Sequence, residues 1–217
     1  MDHRLDNGSC MSGDVHVQFC EQRWGKFLAL THLIVHCKTL EEATSLKEAI
    51  EQRLKDCKLE HNPEKTQIAY CKDENRDGNF PQNKFDFLGY TFESRLAKSK
   101  KGNYFVSFIP AISRKAVKVI NQRIRDWKLQ LQSGRKLENI AGEINPVITG
   151  WINYYGKFYK TAIYPIFEGL NRKLAKWAKR KYKCSETKAI HWIEKVAASK
   201  PAIFAHWKIG ICYASGQ

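Results

Sequence analysis

The sequence predicts an α+β fold in which a strand-rich segment over 33–110 precedes an all-helical, basic segment over 111–210. Before Pro110 the apolar residues form short β-prone runs, and after it they recur at intervals of three and four residues. Hydrophobic residues make up 43% of the chain and aromatic residues 12%. This composition is sufficient for a core and excludes a disordered chain.

The strand-rich segment is predicted to open on a strand and a capped helix. Residues 1–32 keep neither helical nor strand periodicity for long and are predicted to be irregular. A short strand is predicted over 33–37, and a helix over 40–57 follows it. Thr39 and Glu42 form a capping-box pattern, because the Thr hydroxyl can accept from the amide three residues on and the Glu can reach back.

Three further strands are predicted before Pro110. One covers 66–71, after a turn at Asn62-Pro63. Two aromatic-rich strands over 85–94 and 103–109 flank "AKSKKG", and together they predict a hairpin.

The basic segment is predicted to begin with a helix that Ser113 caps. Its apolar residues form a stripe with steps of three and four, whereas its Arg and Lys residues lie off that stripe. Gly134 is typical of the end of such a helix. The predicted stripe consists of Val117, Ile120, Ile124, Trp127 and Leu131.

Asn145 and Pro146 are predicted to divide the next helical pattern in two. A second helix would end there, with Asn145 as the cap and Pro146 as the first residue of a third helix. A fourth helix is predicted over about 165–183, and Ser185 caps a fifth. The apolar tail "PAIFAHWKIG" is predicted to pack back on the helices.

Positive charge is concentrated in one segment of the chain. The formal net charge is +15, and the pI is about 9.5. Residues 95–183 contain 21 Lys or Arg and 4 Asp or Glu, a charge of +17, whereas residues 1–94 carry −4 and residues 184–217 carry +2. A basic surface that is merely solvated normally mixes both signs, so this asymmetry predicts a face that binds nucleic acid.

Cysteine usage and hydropathy predict a reduced protein of the cytoplasm. The seven cysteines are odd in number, contain no Cys-x-x-Cys pair and do not cluster with histidines at ligand spacing. Neither a disulfide framework nor a zinc site is therefore expected. The chain has no secretory segment and no apolar run long enough to span a bilayer, so no membrane partner is expected. The sequence does not define the oligomeric state.

Two stretches carry a resemblance to a known family. "GEINPVITGWINYYGKFY" (142–159) and "IFEGLNRKLAKWAKRKYK" (166–183) resemble the maturase-specific domain of group II intron proteins. "KLEHNPEKTQIAYCK" and "FDFLGYTF" are similar to the last two motifs of the reverse-transcriptase palm in those proteins, and "HWKIG" resembles a common ending of their shorter members. The residues that match the maturase signature are Asn145, Pro146, Gly150, Trp151, Asn153, Tyr154, Tyr155 and Trp177.

The resemblance also implies a polymerase site that this sequence does not complete. In the family, the strand like 33–37 directly follows Tyr-Ala-Asp-Asp, whose carboxylates hold two Mg²⁺ ions with a third from an earlier strand. Thr31 and His32 stand at the Asp-Asp position, and neither supplies the anionic oxygen that Mg²⁺ demands. Lys65 stands where the family has a lysine near the incoming triphosphate, although a surface turn lysine is the simpler interpretation. We therefore expect no catalytic residues, no bound metal and no cofactor.

The resemblance and the charge pattern together give the candidate binding residues. Lys and Arg meet phosphates, and unpaired bases stack on exposed rings. Trp151 and Trp177 are expected in the core, whereas Tyr155 and Tyr159 are expected to be more open. The RNA-binding candidates are Arg114, Lys118, Arg125, Asn153, Tyr155, Lys157, Arg172, Lys173, Lys176, Lys179, Arg180 and Lys183. The residues that resemble a primer grip are Phe87, Leu88, Gly89 and Tyr90, and the alternative is a hairpin with one aromatic face on a core.

These patterns predict four segments and one preferred function. The segments are an irregular stretch outside the family pattern (1–32), a truncated palm remnant (33–110), a maturase-specific thumb domain (111–183) and a short helical extension (184–217). The resemblance implies a fragment that binds group II intron RNA and assists splicing, with its polymerase site lost. Two alternatives stay open: an RNA-directed DNA polymerase that a separate chain completes, and a decayed fragment without a physiological role. RNA is the expected partner, with DNA as an alternative.

Overall fold

The computed structural model describes residues 15–22, 32–63, 66–75, 80–99 and 101–212. The chain forms two compact units: Met1–Phe87 with Phe92–Ile109, and Leu88–Thr91 with Pro110–Gln217. Strands precede helices in the order predicted, with one helix set among the early strands. The α+β fold class is thus confirmed.

The first sheet is built around a strand that the sequence analysis did not predict. β1 (Val15–Gln22) pairs antiparallel with both β2 (His32–Cys37) and β4 (Gln67–Tyr70), and its last residues pair with β3 (Glu60–His61). The prediction that 1–32 is irregular is therefore wrong for 15–22. The alternation of apolar and polar residues in this stretch is too short to identify a strand. β1 is fixed instead by its pairing partners, which lie later in the chain.

The helix that follows β2 is confirmed. α1 (Leu40–Asp56) begins after Thr39, whose hydroxyl accepts from the Glu42 amide at 3.1 Å. The Glu42 carboxylate accepts from the Lys38 amide at 2.7 Å, one residue before the position that a capping box predicts. α1 packs on the first sheet through a small core made of Cys37, Ala43, Val35, Leu46, Ile50 and Ile68.

The second sheet has three strands where two were predicted. Its order is β5 (Lys84–Phe87), β6 (Tyr90–Lys98) and β7 (Tyr104–Ile112). The predicted strand over 85–94 is interrupted because Leu88 and Gly89 have φ angles of 47° and 81°, which turn the chain. The predicted pairing of the last two strands is confirmed.

The second unit is helical and has one hydrophobic core. The hydroxyls of Ser113 and Ser185 accept from the amides of Ala116 and Lys188, as predicted for caps. A single cluster of buried side chains extends from Ile112 to Ile211. The helices are α2 (Arg114–Asp126), α3 (Leu137–Tyr155), α4 (Tyr164–Tyr182), α5 (Glu186–Ser199) and α6 (Ala205–Lys208), with 3₁₀ turns at Leu129–Leu131 and Lys160–Ile163.

The first of these helices is shorter than predicted. α2 ends at Asp126, and Lys128 then adopts a left-handed φ of 45°. This change of direction buries Leu129 and leaves Leu131 61% exposed. The assignments of Leu131 to the apolar stripe and of Gly134 to the helix end are therefore wrong.

The predicted break at Asn145 and Pro146 does not occur, and α3 runs through both residues. Asn145 does not cap a helix: its side chain donates to the Ile203 carbonyl at 2.7 Å and accepts from the Ala205 amide at 3.0 Å. Ile144 and Ile148, on either side of the proline, are both buried. Packing of this continuous apolar face offsets the hydrogen bond that Pro146 removes.

The tail packs on the helices, as predicted. Phe204, His206, Trp207 and Ile211 are buried. The Asn171 carbonyl oxygen accepts from His206 Nε2 at 2.8 Å and from Trp207 Nε1 at 2.9 Å, and its amide donates to the Ile211 carbonyl at 3.2 Å. Burial lowers the pKa of His206 to about 3. Among the described residues, no helix is both long and apolar enough to cross a membrane.

Candidate nucleic-acid interface

α4 separates an apolar face from a cationic one. Its inward face contains Phe167, Leu170, Leu174 and Trp177, all fully buried. Its exposed cations stand 4, 7, 8 and 11 residues after the first of them, so that they share the opposite face. We call this set the α4 cationic face, and it consists of Arg172, Lys176, Lys179, Arg180 and Lys183, all exposed. Lys173, also predicted to bind RNA, is half-buried.

Few of the α4 cations have a partner within the protein. Lys179 lies 3.3 Å from a carboxylate oxygen of Glu186, a surface pair of small energy. Arg180 donates to the Gln130 carbonyl at 3.2 Å. Four other cations of α4 were predicted to bind RNA. Within the described part of the chain, no hydrogen bond or ion pair engages the charged groups of these four residues, which are Arg172, Lys173, Lys176 and Lys183. These charges face solvent and are available to an external anion.

α2 carries a second, smaller cationic stripe. Arg114, Lys118 and Arg125 follow one another by four and seven residues, so they lie on one face. All three are exposed, whereas Ile120 and Ile124 on the inward face are buried. The Arg125 guanidinium donates to the side-chain Oε1 of Gln122 from two nitrogens, at 3.0 and 2.7 Å.

The primer-grip-like residues Leu88 to Tyr90 contact the end of α3. The Tyr90 ring lies 5.2 Å from the ring of Tyr154 and 5.5 Å from those of Tyr155 and Phe158. The Tyr90 hydroxyl donates to the Tyr154 carbonyl, and the Tyr154 hydroxyl donates to the Leu88 carbonyl at 2.7 Å. Burial and the two neighbouring tyrosines raise the pKa of Tyr90 to about 12. The structure thus brings together residues that sequence analysis had assigned to separate elements.

Tyr155 is more open than the fully buried Trp177, as expected, but it is half-buried, as Trp151 is. A Cβ at Gly89 would lie 2.9 Å from the Tyr155 hydroxyl oxygen. Tyr155 follows Ile148 by seven residues and Trp151 by four, which places it on the core-facing stripe of α3. The exposed rings are those of Tyr154 and Phe158, at 45% and 53%.

The remaining aromatic predictions have mixed outcomes. Trp177 is fully buried, as expected. Trp151 is half-buried and stacks on Trp127, with ring centroids 5.6 Å apart. Tyr159 is half-buried as well, so it is less open than expected.

The other predicted site residues are separate from these clusters or lie outside the described ranges. Asn153 and Lys157 are exposed at the end of α3, and the Lys157 ammonium lies 5.9 Å from the centre of the Phe158 ring. Phe87 is half-buried in the first unit. Thr31 and Lys65 lie outside the described residues, and His32 begins β2. Within the described ranges, no three His, Cys, Asp or Glu side chains are grouped so that they would hold a metal.

Sequence analysis also missed an aromatic and basic cluster at the end of α4. Lys181 donates to the carbonyls of Ser133 and Arg135, at 3.1 and 2.8 Å, and its ammonium lies 5.3 Å from the centre of the Trp177 ring. Tyr182 packs on Trp192 of α5, with ring centroids 4.8 Å apart. One sequence pattern could have predicted the contact between Lys181 and Trp177: the two are four residues apart, so they share a face of the helix.

Comparison with known families finds a match for most of the helical part of the chain. Residues 117–194 match the family model described as "Group II intron, maturase-specific domain". The matched range contains α3 and α4 entirely, together with most of α2 and part of α5. A search of curated proteins finds no match. The maturase signature that runs from Asn145 to Trp177 lies within the matched range, so residues 117–194 are similar to the maturase-specific domain of group II intron proteins.

Proposed function

We propose that this chain binds the RNA of a group II intron through its helical unit and stabilises the folded form of that RNA in which splicing occurs. The observation that carries the proposal is the α4 cationic face. It extends over 12 residues, from Arg172 to Lys183, or about 17 Å of helix. Because most of its charges have no partner among the described residues, phosphates can bind there without breaking internal ion pairs.

In this proposal the RNA catalyses splicing, and the protein binds and positions the RNA. In a group II intron the RNA itself does the chemistry, so a protein contributes by holding the RNA in the reactive arrangement. A cationic helix face and exposed rings in the same helical unit supply two suitable contacts: phosphates on Lys and Arg, and unpaired bases on aromatic side chains. Tyr154 and Phe158, rather than Tyr155, are the rings available for stacking in this arrangement.

We propose further that the chain does not polymerise nucleotides. Nucleotidyl transfer by the related enzymes depends on carboxylates that hold two metal ions. Thr31 and His32 offer a hydroxyl and an imidazole instead, which are poor ligands for Mg²⁺. Primer extension on an RNA template with Mg²⁺ or Mn²⁺ tests this statement, and template-dependent synthesis by the purified chain would refute it.

The binding proposal is tested by removing charge from the α4 cationic face. Replacing Lys176, Lys179 and Arg180 together by Ala removes three phosphate contacts. The plot of log affinity against log salt should then flatten by about two units for single-stranded RNA.

A matched variant separates the loss of phosphate contacts on α4 from a general effect of lowering the net charge of the protein. Replacing Arg53, Lys55 and Lys58 by Ala removes the same charge from exposed positions of the first unit and should leave the slope unchanged. Equal slopes for both triple variants would place the RNA face elsewhere. Splicing of a group II intron RNA with and without the chain then tests the maturase role, and an intron that folds and splices equally well in both conditions would contradict it.

A further inference from the structure

A cavity of about 170 Å³ lies at the C-terminal end of α4. Trp177, Tyr182 and Trp192 provide its aromatic walls, and Leu137 and Val196 line it as well. This volume is below the range of about 300–1,000 Å³ that is typical of sites for whole drug-sized ligands, so the cavity suits one flat ring rather than a larger molecule. Neither the predicted binding residues nor the proposed function uses it.

The aromatic walls differ in how far they face the solvent. Trp177 is fully buried and is held by its indole nitrogen, which donates to the Gln132 carbonyl at 2.9 Å. Trp192 is half-buried, and Tyr182 is 48% exposed. The rings of Tyr182 and Trp192 are tilted by 51°, so they form two sides of a wedge rather than a closed stack. A flat ligand that enters from solvent meets the Tyr182 ring first.

The charged groups of the cavity select the class of ligand. Lys136, Lys181 and Lys200 line it, opposed by the single acidic side chain of Glu138. In the described part of the chain, no hydrogen bond or ion pair engages the ammonium groups of Lys136 and Lys200. Three aromatic rings beside a carboxylate would suit a quaternary ammonium ligand. The three lysines, however, repel a cationic ligand and attract an anionic one. A planar ligand that carries negative charge fits both the walls and the lysines.

We propose that this cavity receives a single unpaired nucleotide of the bound RNA, with its base against Tyr182 and Trp192 and its phosphates near Lys136 and Lys200. This inference rests on the proposed RNA binding and extends it to a site beyond the α4 cationic face. Base stacking on aromatic rings tolerates any base, whereas a paired base in a helix cannot reach the rings. The cavity therefore distinguishes unpaired from paired positions in the RNA.

The test compares two RNA hairpins of the same stem, one with a single-nucleotide bulge and one fully paired, each bound by the whole chain. Tyr182→Ala should weaken binding of the bulged hairpin by about 5-fold to 150-fold, the range for loss of one base–aromatic stack, and leave binding of the paired hairpin unchanged. Tyr182→Phe keeps the ring and should retain the preference for the bulge.

Tyr164 provides the matched control, because it is an exposed tyrosine at the opposite end of α4, about 27 Å away along the helix. Tyr164→Ala should leave both affinities unchanged. Unaltered binding of the paired hairpin shows that the Tyr182→Ala protein is folded, and if that variant does not fold, Lys136→Ala combined with Lys200→Ala replaces it with the same expected loss of preference.

The outcomes separate this inference from the proposed function. If the wild-type chain binds both hairpins equally, or if Tyr182→Ala keeps the preference for the bulge, the cavity does not take a nucleotide while RNA binding stands. If the chain binds neither hairpin, the proposed function fails, and this inference fails with it. Saturable binding of a trimethyl-lysine peptide that Tyr182→Ala abolishes would assign the cavity to a protein partner instead.

Discussion

Gly89 and Tyr155 constrain each other at the turn between β5 and β6. Gly89 has a φ of +81°, and a Cβ there would lie 2.9 Å from the Tyr155 hydroxyl oxygen. Gly89→Ala should therefore lower the free energy of unfolding by more than the roughly 1–2 kcal/mol expected for a left-handed alanine. Gly210 has a φ of +83° with open space around it, so Gly210→Ala is the matched control for the backbone term. Chemical unfolding followed by tryptophan fluorescence measures both.

The same contact predicts that two substitutions interact. In a Tyr155→Phe background the hydroxyl is absent, so Gly89→Ala should cost about the same as Gly210→Ala. Equal costs of Gly89→Ala in the two backgrounds would show that the ring shifts aside freely.

Tyr155 and Phe158 should respond differently to truncation. Phe158 is exposed, so Phe158→Ala should change stability by less than about 0.5 kcal/mol and weaken RNA binding by roughly 1–3 kcal/mol, with an unchanged salt slope. Tyr155 is half-buried against the core, so Tyr155→Ala should destabilise the protein by about 2 kcal/mol and leave the affinity per folded molecule unchanged. Thermal unfolding and RNA titration of both variants check these outcomes, and a reversal of the two would restore Tyr155 as the stacking ring.

At the scale of single residues, the exposure of charged side chains could be predicted more reliably from the sequence than the exposure of aromatic ones. The exposed cations of α4 were predictable because charges leave the core wherever a helix has one apolar face. The half-burial of Tyr155 was not anticipated, although its spacing from Ile148 places it on the buried stripe. Tyr90, which packs against it, lies 65 residues earlier in the chain, and no local pattern reveals that contact.

At the scale of elements, Asn145 and Asn171 attach the tail to α3 and α4. Asn145→Ala removes a donor to the Ile203 carbonyl and an acceptor for the Ala205 amide. Hydrogen exchange at Ala205 should then accelerate, and the free energy of unfolding should fall by about 1–3 kcal/mol. Asn153 is exposed on the same helix, so Asn153→Ala is the matched control and should change neither. Unchanged exchange at Ala205 in the Asn145→Ala protein would show that apolar packing alone holds the tail.

The elements that sequence analysis missed are those whose bounds depend on distant partners. Asn-Pro is a strong local signal for a helix start, yet in α3 the asparagine binds residues 58 and 60 positions later. β1 is likewise fixed by pairing with β2 and β4 rather than by its own periodicity. In contrast, α1 and α5 were predictable because their capping residues directly precede them and each has an apolar stripe of its own. α4 has no side-chain cap and was predictable from its apolar stripe alone.

At the scale of the whole molecule, the buried imidazole of His206 should make stability depend on pH. Burial lowers its pKa to about 3, below the value of about 6.5 for an unfolded chain, so the unfolded state binds the proton more tightly. The contribution of neutral His206 is fully present above pH 6.5 and is lost as the pH falls, by about 1.4 kcal/mol per pH unit. Chemical unfolding between pH 7 and pH 4 measures it.

A variant isolates this group from the other titrating side chains. His206→Gln keeps a polar side chain at this position, next to Asn171, but does not titrate, so its stability should fall less steeply below pH 6.5 than that of the wild type. Parallel curves for the two proteins would assign the acid sensitivity to other groups.

The charge distribution was predictable at this scale, because a count along the chain places +17 in 95–183. The cavity beside Tyr182 was not predictable, since its walls come from α4, α5 and the start of α3, which only the folded core brings together.

The tail also sets an order in time. Asn171 binds the carbonyl of Ile211, 40 residues later, so the core cannot close until that residue has been synthesised. At the usual 5–20 residues per second, the ribosome takes roughly 2–8 s to cover this interval. Until that residue has left the exit tunnel, the apolar faces of α3 and α4 that the tail covers lack their partner and can bind chaperones.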